Sequence, residues 1–506
     1  MSFPRSTRSK SLELLESQGK LDQEIWALEK RLSALRKSRN ALALINQLPA
    51  EIFVEIFLWL QTLYIELGPG KILEWILATH TSQHWRSLAL GSKTLWTIIP
   101  AHHIPYAHLA SPLSYPVQVS IIGEPISSSS EKIGDEALGI FVPLLQRARK
   151  VAAMHSTGSF FARVLQSTPS EFPYLQDIDF NDVDVPLKES PFPPSLKRLQ
   201  LSRSAFKWGW LKLEHLTELH LCYTSLTTRV TVDTFLSYML QIPKLSYLEI
   251  RWVFEKRVDT SYPRRLPMFK LQHLVVQDSL SLVSSLLSRI KFKDDFVLQA
   301  EIYVDDENPD TIQAFFRRVD RHLQASQRVI CSGSLIFANE GDLVLSCFDQ
   351  EDATPFLVIE VQDVNEETLP VLLDWMQSLP FDKMERLSTD LFRDETGWRG
   401  CRFRHLKFLQ ELVVCTRASS HALLNFLAAE MVLTKRSHDW KSLSFPKTKF
   451  TLHDVRYSQV AKQSMAIFTG RAEHGFKVEE LVFEGGNIAD NGVKKLCRVV
   501  DKVTVT

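Results

Sequence analysis

The chain has 506 residues, of which 45% are hydrophobic and 23% charged, and 59 basic side chains balance 59 acidic ones. That length allows two or more domains, and the balance is that of an ordinary globular protein. Neutral charge argues against a general nucleic-acid binder; six scattered cysteines without a C-x-x-C pair argue against a disulfide framework or structural zinc; and no apolar run reaches the roughly 20 residues of a membrane span.

The first ten residues carry Arg5, Arg8 and Lys10 with no acid. Residues 1–19 read as a disordered tail. There is no signal-peptide pattern. With the cysteine usage, this points to a reducing compartment, cytoplasm or nucleus, and to no membrane or nucleic-acid partner. Leu21, Ile25, Leu28, Leu32 and Leu35 then alternate spacings of four and three. That heptad spacing predicts a helix over 20–46 with all five on one seam. Arg39 takes the next seam position and shortens the pattern to about two to three heptads. Such a helix either lies on the chain's own following domain or forms a weak homodimer through 21–42.

The stretch LPAEIFVEIFLWL, Leu48 to Leu60, predicts a second helix. Pro49 suits a first turn, and Glu51 sits near the positive helix end. Ile52, Phe53, Ile56, Phe57 and Leu60 cover one arc, Val54 and Leu58 a flank, and Trp59 most of the rest. A helix apolar nearly all round is buried on more than one side. One side packs on its own domain; the other needs a second domain or a partner. Lys71–Ala78 reads as a further helix after a Gly68-Pro69-Gly70 break. In Thr79–Pro100, Trp85, Leu88 and Ala89 recur at helical spacing, and Leu95 and Trp96 follow a polar turn.

Here the sequence resembles the F-box family. Leu48, Pro49, Glu51, Ile52, Ile56, Phe57 and Leu60 match its Leu-Pro, Glu-Ile, Ile-Phe and Leu opening. Trp85, Arg86, Leu95 and Trp96 match its later Trp-Arg and Leu-Trp. Thr81 and Ser82 stand where Val and Cys are usual. With the heptad helix just ahead, the pattern looks like the large fungal class of F-box-like proteins. The resemblance implies a three-helix F-box over 47–100 that docks on a Skp-type adaptor of a cullin–RING ubiquitin ligase. Leu48, Pro49, Ile52, Ile56, Phe57, Leu60, Trp85 and Trp96 would form the adaptor surface. The alternative is an ordinary three-helix subdomain docked on the rest of the chain.

After a strand expected at Val117–Ile122 and a loop-like stretch, Gly123–Glu136, an L-x-x-L-x-L motif keeps returning. YLQDIDF, SLKRLQL, HLTELHL, KLSYLEI and KLQHLVV start it at Leu175, Leu196, Leu216, Leu245 and Leu271, with spacings of 21, 20, 29 and 26. FLQELVV (Phe408–Val414), WKSLSF (Trp440–Phe445) and VEELVF (Val478–Phe483) repeat it later. Irregular returns at 20–30 residues mark a leucine-rich repeat solenoid. Thr231–Ile242, Asp310–Ser326, Glu367–Leu379 and His421–Leu433 read as helices between strands. LQSTP, LQIP and MQSLP end such helices on proline, at Pro169, Pro243 and Pro380. The expected fold over 101–506 is therefore α/β, an irregular horseshoe. Val183, Ser204, Thr224, Val253 and Ser279 replace the ladder asparagine or cysteine. Residues 329–362 read as consecutive strands with a hairpin turn at Asn339-Glu340-Gly341-Asp342.

No catalytic residue, cofactor or metal set is expected. His80, His84, His102, His103 and His108 lack the spacing of a ligand set. DIDFNDVDVPLKE fails as a calcium loop, with Asp182 at its sixth position and Lys188 at its twelfth. There is no G-x-S-x-G elbow, phosphate loop or H-E-x-x-H helix, and Gly485-Gly486 before Asn487 reads as a turn. Residues flanking the buried leucines would line a concave face: Asp177, Asp179, Arg198, Gln200, Glu218, His220, Tyr247, Glu249, Arg251, His273 and Gln277. Mixed charge and an aromatic suit a protein partner. The function expected is a non-catalytic subunit that holds a protein substrate for ubiquitination. A repeat scaffold unconnected with ubiquitination is the alternative.

Overall fold

The computed structural model describes residues 6–123, 135–167, 172–183, 192–211, 213–256, 266–267, 270–291, 296–304, 309–325, 329–337, 342–349, 354–362, 364, 371–372, 383–390, 408–416, 418–427, 449–453, 466–473, 477–485 and 490–505. The chain is mixed α/β: a helical N-terminal region is followed by a large open sheet. It divides into two compact units, Met1–Ile178 and Asp179–Thr506. No helix among the described residues is long and apolar enough to cross a membrane.

In the first unit, helix α1 (Ser6–Ala41) takes in much of the stretch expected as a tail. Its leucine seam is exposed along its length. A helical subdomain follows, with α2 (Ala50–Glu66), α3 (Ile76–Thr79) and α4 (Gln83–Gly91). Half of the helix expected over Lys71–Ala78, residues 72–75, is turn, and only Ile76–Thr79 closes into an α-helical turn.

Aromatic side chains hold this subdomain together. Phe53 meets Trp85 edge-on at 5.3 Å, Phe57 meets Trp75 and Trp85 at 6.3 and 5.9 Å, and Trp75 meets Trp96 at 5.5 Å. Burying each such ring is worth about 1.5–3 kcal/mol. Two polar groups among them reach backbone carbonyls. Gln61 Nε2 donates to the Leu95 carbonyl at 2.7 Å, while its Oε1 is buried without a partner, and the Trp96 indole donates to the Ala89 carbonyl at 2.8 Å. Ser82 acts locally, because its hydroxyl accepts from the Trp85 N–H and so caps α4.

Beyond the subdomain, strands β1 (Ile98–Pro100), β2 (Val119–Ile122) and β3 (Ala148–Met154) pair in parallel. Helices α5 (Ile104–Ser114), α6 (Asp135–Leu145) and α7 (His155–Ser167) alternate with them. Arg147 ties α5 to β2 by donating to the carbonyls of Ser111 and Val117. Strand β4 (Asp177–Asn181) spans the sequence boundary between the units.

The second unit is a sheet backed by helices. Its strands are β5 (Arg198–Ser202), β6 (Glu218–Cys222), β7 (Tyr247–Arg251), β8 (Leu266–Pro267), β9 (His273–Ser279), β10 (Ile290–Lys291), β11 (Val297–Tyr303), β12 (Ser332–Phe337), β13 (Leu343–Phe348), β14 (Leu357–Gln362), β15 (Arg386–Thr389), β16 (Glu411–Val414), β17 (Lys449–His453), β18 (Val478–Glu484) and β19 (Val500–Val505). Strands β5, β6, β7, β9 and β11 are parallel neighbours in that order. From β15 to β19 the parallel order resumes. Strands β8 and β10 form a small pair of their own.

Between these runs the chain order reverses. Strand β14 pairs with β11, β13 runs antiparallel between β14 and β12, and β12 pairs with β15. The consecutive strands expected over 329–362 are present as this meander. Residues 339–341 of the expected turn lie outside the described residues, as do WKSLSF, Pro169, MQSLP, Gly486-Asn487 and most of the helix expected over Glu367–Leu379.

One face of the strands β5, β6, β7 and β9 is buried. Leu199, Leu201, Leu219, Leu221, Leu248, Ile250, Leu274 and Val276 are at most 2% exposed. Helices α8 (Val232–Met239), α9 (Leu280–Arg289) and α10 (Pro309–Ala325) bury Phe235, Leu286 and Phe315 in the same core. The helices expected over Thr231–Ile242 and Asp310–Ser326 are α8 and α10, and a helix at residues 418–427 overlaps the start of the expected His421–Leu433 segment.

A repeated turn closes the strands. His155, Asp182, Arg203, Tyr223 and Trp252, each the first residue after β3, β4, β5, β6 and β7, have φ between 49° and 54°. Non-glycine residues rarely adopt this left-handed conformation. In four of these turns the left-handed residue's N–H donates across to the next strand: Asp182 to Ser202, Arg203 to Cys222, Tyr223 to Arg251, and Trp252 to Gln277.

Candidate functional site

Two surfaces carry the residues singled out in the sequence. The first lies on the helical subdomain. Residue spacing along α2 turns Phe53, Phe57 and Gln61 inward and leaves the remaining apolar side chains outside. Leu48 is 37% exposed, Ile52 45% and Trp59 74%. Ile56, Leu60 and Trp85 are half-buried, and Pro49, at the N-cap of α2, is exposed. Leu44, Ile45, Leu63 and Leu77 are also exposed. The Trp85 ring closes the edge of the patch, its indole N–H donating to Asn46 Oδ1 at 2.5 Å.

Two expected surface residues are internal. Phe57 is 0% exposed and Trp96 3%. The aromatic cluster accounts for both: each packs against Trp75 on the inner side of the subdomain. Of the histidines nearby, His84 packs edge-on against Phe53, and His103 accepts from the Tyr106 N–H at the start of α5.

The second surface is the outer face of the sheet. Alternation along each strand brings its expected residues together. Arg198 Nε lies 3.5 Å from Glu218 Oε2. His220 Nδ1 lies 2.8 Å from Glu249, whose other oxygen accepts from Arg251 Nε at 2.6 Å. Tyr247 packs between His220 and His273, with ring centres 4.8 and 6.0 Å away. Gln200 sits beside His220 in register. Asp177, which lies in the first unit and not in this one, pairs with Lys150 at 3.4 Å; Asp179, half-buried, alternates along β4 with buried Ile178 and Phe180. His273 is exposed, whereas Gln277 is buried.

Gln277 is buried because the network continues past it. It donates to Glu301 Oε1 at 2.6 Å and to the Tyr303 hydroxyl at 3.0 Å, and Gln362 donates to the same Glu301 oxygen at 2.6 Å. Arg251 reaches both Gln277 and Glu301. Trp252 and Tyr303 pack ring to ring at 4.8 Å along the edge of this cluster. Glu301, Tyr303, Glu360 and Gln362 were not among the sequence candidates. The alternation in VLQAEIY and LVIEVQ could have flagged them, but the meander that sets β14 beside β11 has no signature in the repeat spacing.

Further along the sheet stands a second row that the sequence did not suggest. Arg386, Glu411, Lys449, Glu480 and Lys502 lie opposite one another in register across β15 to β19. Their signs alternate, and Glu411 lies 3.1 Å from Arg386 and 2.9 Å from Lys449.

The electrostatics follow from these contacts. The hydrogen bond from His220, with Arg251 beside it, holds the Glu249 carboxyl down at about 2. Burial pushes the Cys222 thiol up to about 11, which favours the protonated form at neutral pH. Burial likewise raises the Asp278 carboxyl to about 6. Among the described residues, no group of three or more His, Cys, Asp or Glu side chains is placed to hold a metal ion. The outer face presents mixed charge, amides and the three aromatic rings of Tyr247, Trp252 and Tyr303. No protein-family profile and no curated protein matches the chain.

Proposed function

We propose that this protein is a non-catalytic substrate-recognition subunit of a Skp–cullin–F-box type ubiquitin ligase. In this reading the helical subdomain docks on a Skp-type adaptor, and the outer sheet face, as the concave face of a divergent leucine-rich repeat, binds a protein substrate. The observation that carries the proposal is the patch of Leu48, Ile52 and Trp59 with half-exposed Ile56, Leu60 and Trp85. It stands on the segment that resembles an F-box, outside a core that is already complete with Phe53, Phe57, Trp75 and Trp96. Apolar groups left in water beside a finished core gain from a partner that covers them. The subunit would raise the effective concentration of substrate near the ubiquitin-loaded enzyme.

The repeat reading of the sheet is supported by two parallel runs in chain order and by the left-handed residue after five successive strands. Ser204 supports it further. Its buried hydroxyl accepts from the Val183 N–H and donates to the Ser202 carbonyl, the work of a ladder residue. A second reading, a repeat scaffold unconnected with ubiquitination, is favoured by the burial of Phe57 and Trp96, which removes two residues from the expected adaptor surface.

Capture of a purified Skp-type adaptor by the full chain, run beside Leu48→Ala/Pro49→Ala, tests the proposal. Capture by the wild type and its loss in a folded variant is expected. No capture by the wild type leaves the scaffold reading.

A further inference from the structure

Helix α1 carries a longer pattern than its five-residue seam. Leu14, Leu21, Leu28 and Leu35 recur every seven residues along it, Leu42 continues the spacing just past its end, and Gln18, Ile25, Leu32 and Arg39 fill the alternate seam positions. All five of these leucines and both Ile25 and Leu32 are exposed, at 47% to 77%. Nothing among the described residues of this unit covers them. A strict seven-residue repeat winds two helices around each other in a left-handed coiled coil.

The charges beside the seam decide what the occupant is. The flanking positions are Asp22, Glu24, Glu29, Arg31 and Arg36, acidic in the first half and basic in the second. In a parallel pair of identical helices, Glu24 would face the partner's Glu29 and Arg31 the partner's Arg36. Both contacts repel. In an antiparallel pair each flanking position meets its own kind across the seam, so in one register Glu24 of each helix faces the partner's Arg31 and neither of these repulsions forms.

We propose that α1 is an antiparallel dimerisation helix whose occupant is a second copy of this chain. In the register that sets Glu24 against the partner's Arg31, Ile25 faces the partner's Leu28 and Leu21 the partner's Leu32. Leu14 packs on the stem of the partner's Arg39, whose charge reaches water at the end of the contact. Gln18 meets the partner's Leu35. A polar or charged group at a seam position fixes register at some cost in affinity, so the dimer is modest in strength. At 1.5 Å per residue, the two chains leave the coiled coil about 44 Å apart at opposite ends. One dimer thus carries two separated copies of the helical subdomain and of the sheet. This inference stands apart from the ligase reading and does not depend on it.

The test is self-association of the full chain by sedimentation equilibrium, with circular dichroism as the folding control. The wild type is expected to dimerise reversibly. Glu24→Arg and Arg31→Glu each place like charges across the antiparallel contact and should each weaken association about tenfold or more. The double variant Glu24→Arg/Arg31→Glu restores the complement and should dimerise again. Mixing the two single variants should give a heterodimer, since each supplies the charge that the other needs. A parallel dimer behaves oppositely, because either single change relieves a repulsion and tightens association. Single variants that associate as well as the wild type or better, or a wild type that stays monomeric at every concentration, overturn the proposal.

Discussion

His220 Nδ1 lies 2.8 Å from Glu249 Oε2 across two neighbouring parallel strands. The contact links two positions 29 residues apart in sequence, and it anchors the polar network on the sheet's outer face. Arg251 completes it from the other carboxylate oxygen. The pair makes the face a fixed arrangement of donors and acceptors.

The first prediction concerns acid stability. The Glu249 carboxyl is held at about 2, against 4.5 for an unperturbed group. A depressed carboxyl contributes stability that is fully present above its unfolded value and is lost as pH falls through its folded value. The stability advantage of wild type over Glu249→Gln should therefore shrink as pH drops from about 4.5 towards 2. Denaturant melts of the two proteins at several pH values measure it. A difference that does not change over that window would show that the charge on Glu249 is not what holds the network.

Asp278 has the opposite sign. Burial raises its carboxyl from 3.8 to about 6, and its Oδ2 has no hydrogen-bond partner. The folded state therefore binds the proton more tightly, and this group lowers stability as pH rises from about 4 to 6. Asp278→Asn keeps the shape without the charge. The variant should gain on the wild type as pH climbs through that range, read from thermal midpoints.

Much of the first unit was legible from residue spacing. The helical spacing of apolar residues from Ile52 to Leu60 located α2. What spacing could not say was which apolar residues close the core. Phe57 and Ile52 look equivalent in sequence, yet Trp75 captures Phe57 and nothing in the subdomain captures Ile52. In the second unit, the L-x-x-L-x-L strands and α8 and α10 followed from periodicity. The reversed order of β12 to β14 did not, because a meander and a run of parallel strands share the same alternation. The left-handed residues were not legible either, since His155, Asp182, Arg203, Tyr223 and Trp252 share no side-chain type, and only the turn geometry unites them.

The contrast on α2 gives a third prediction. Phe57→Ala removes a fully buried ring and should cost about 3–5 kcal/mol. Trp59→Ala removes an exposed ring and should change stability by no more than about 0.5 kcal/mol. Urea unfolding of both variants checks the assignment. Equal losses would mean that Trp59 is covered by the protein itself.

Ser204 supplies the fourth. Ser204→Ala strips the Val183 N–H of its buried acceptor and should destabilise by about 1–3 kcal/mol. Hydrogen exchange should show faster exchange at Val183. An unchanged rate would remove the hydroxyl from its ladder position.

The most direct measurement is a calorimetric titration of the purified full chain with a Skp-type adaptor, beside Ile52→Asp. The substitution places a charge in the centre of the exposed patch and leaves Phe53 and Phe57 untouched. Saturable one-to-one binding by the wild type, abolished in a variant of unchanged stability, is the predicted result. A wild type that releases no binding heat at any temperature, or an Ile52→Asp variant that binds as well as the wild type, contradicts the docking of this surface on the adaptor.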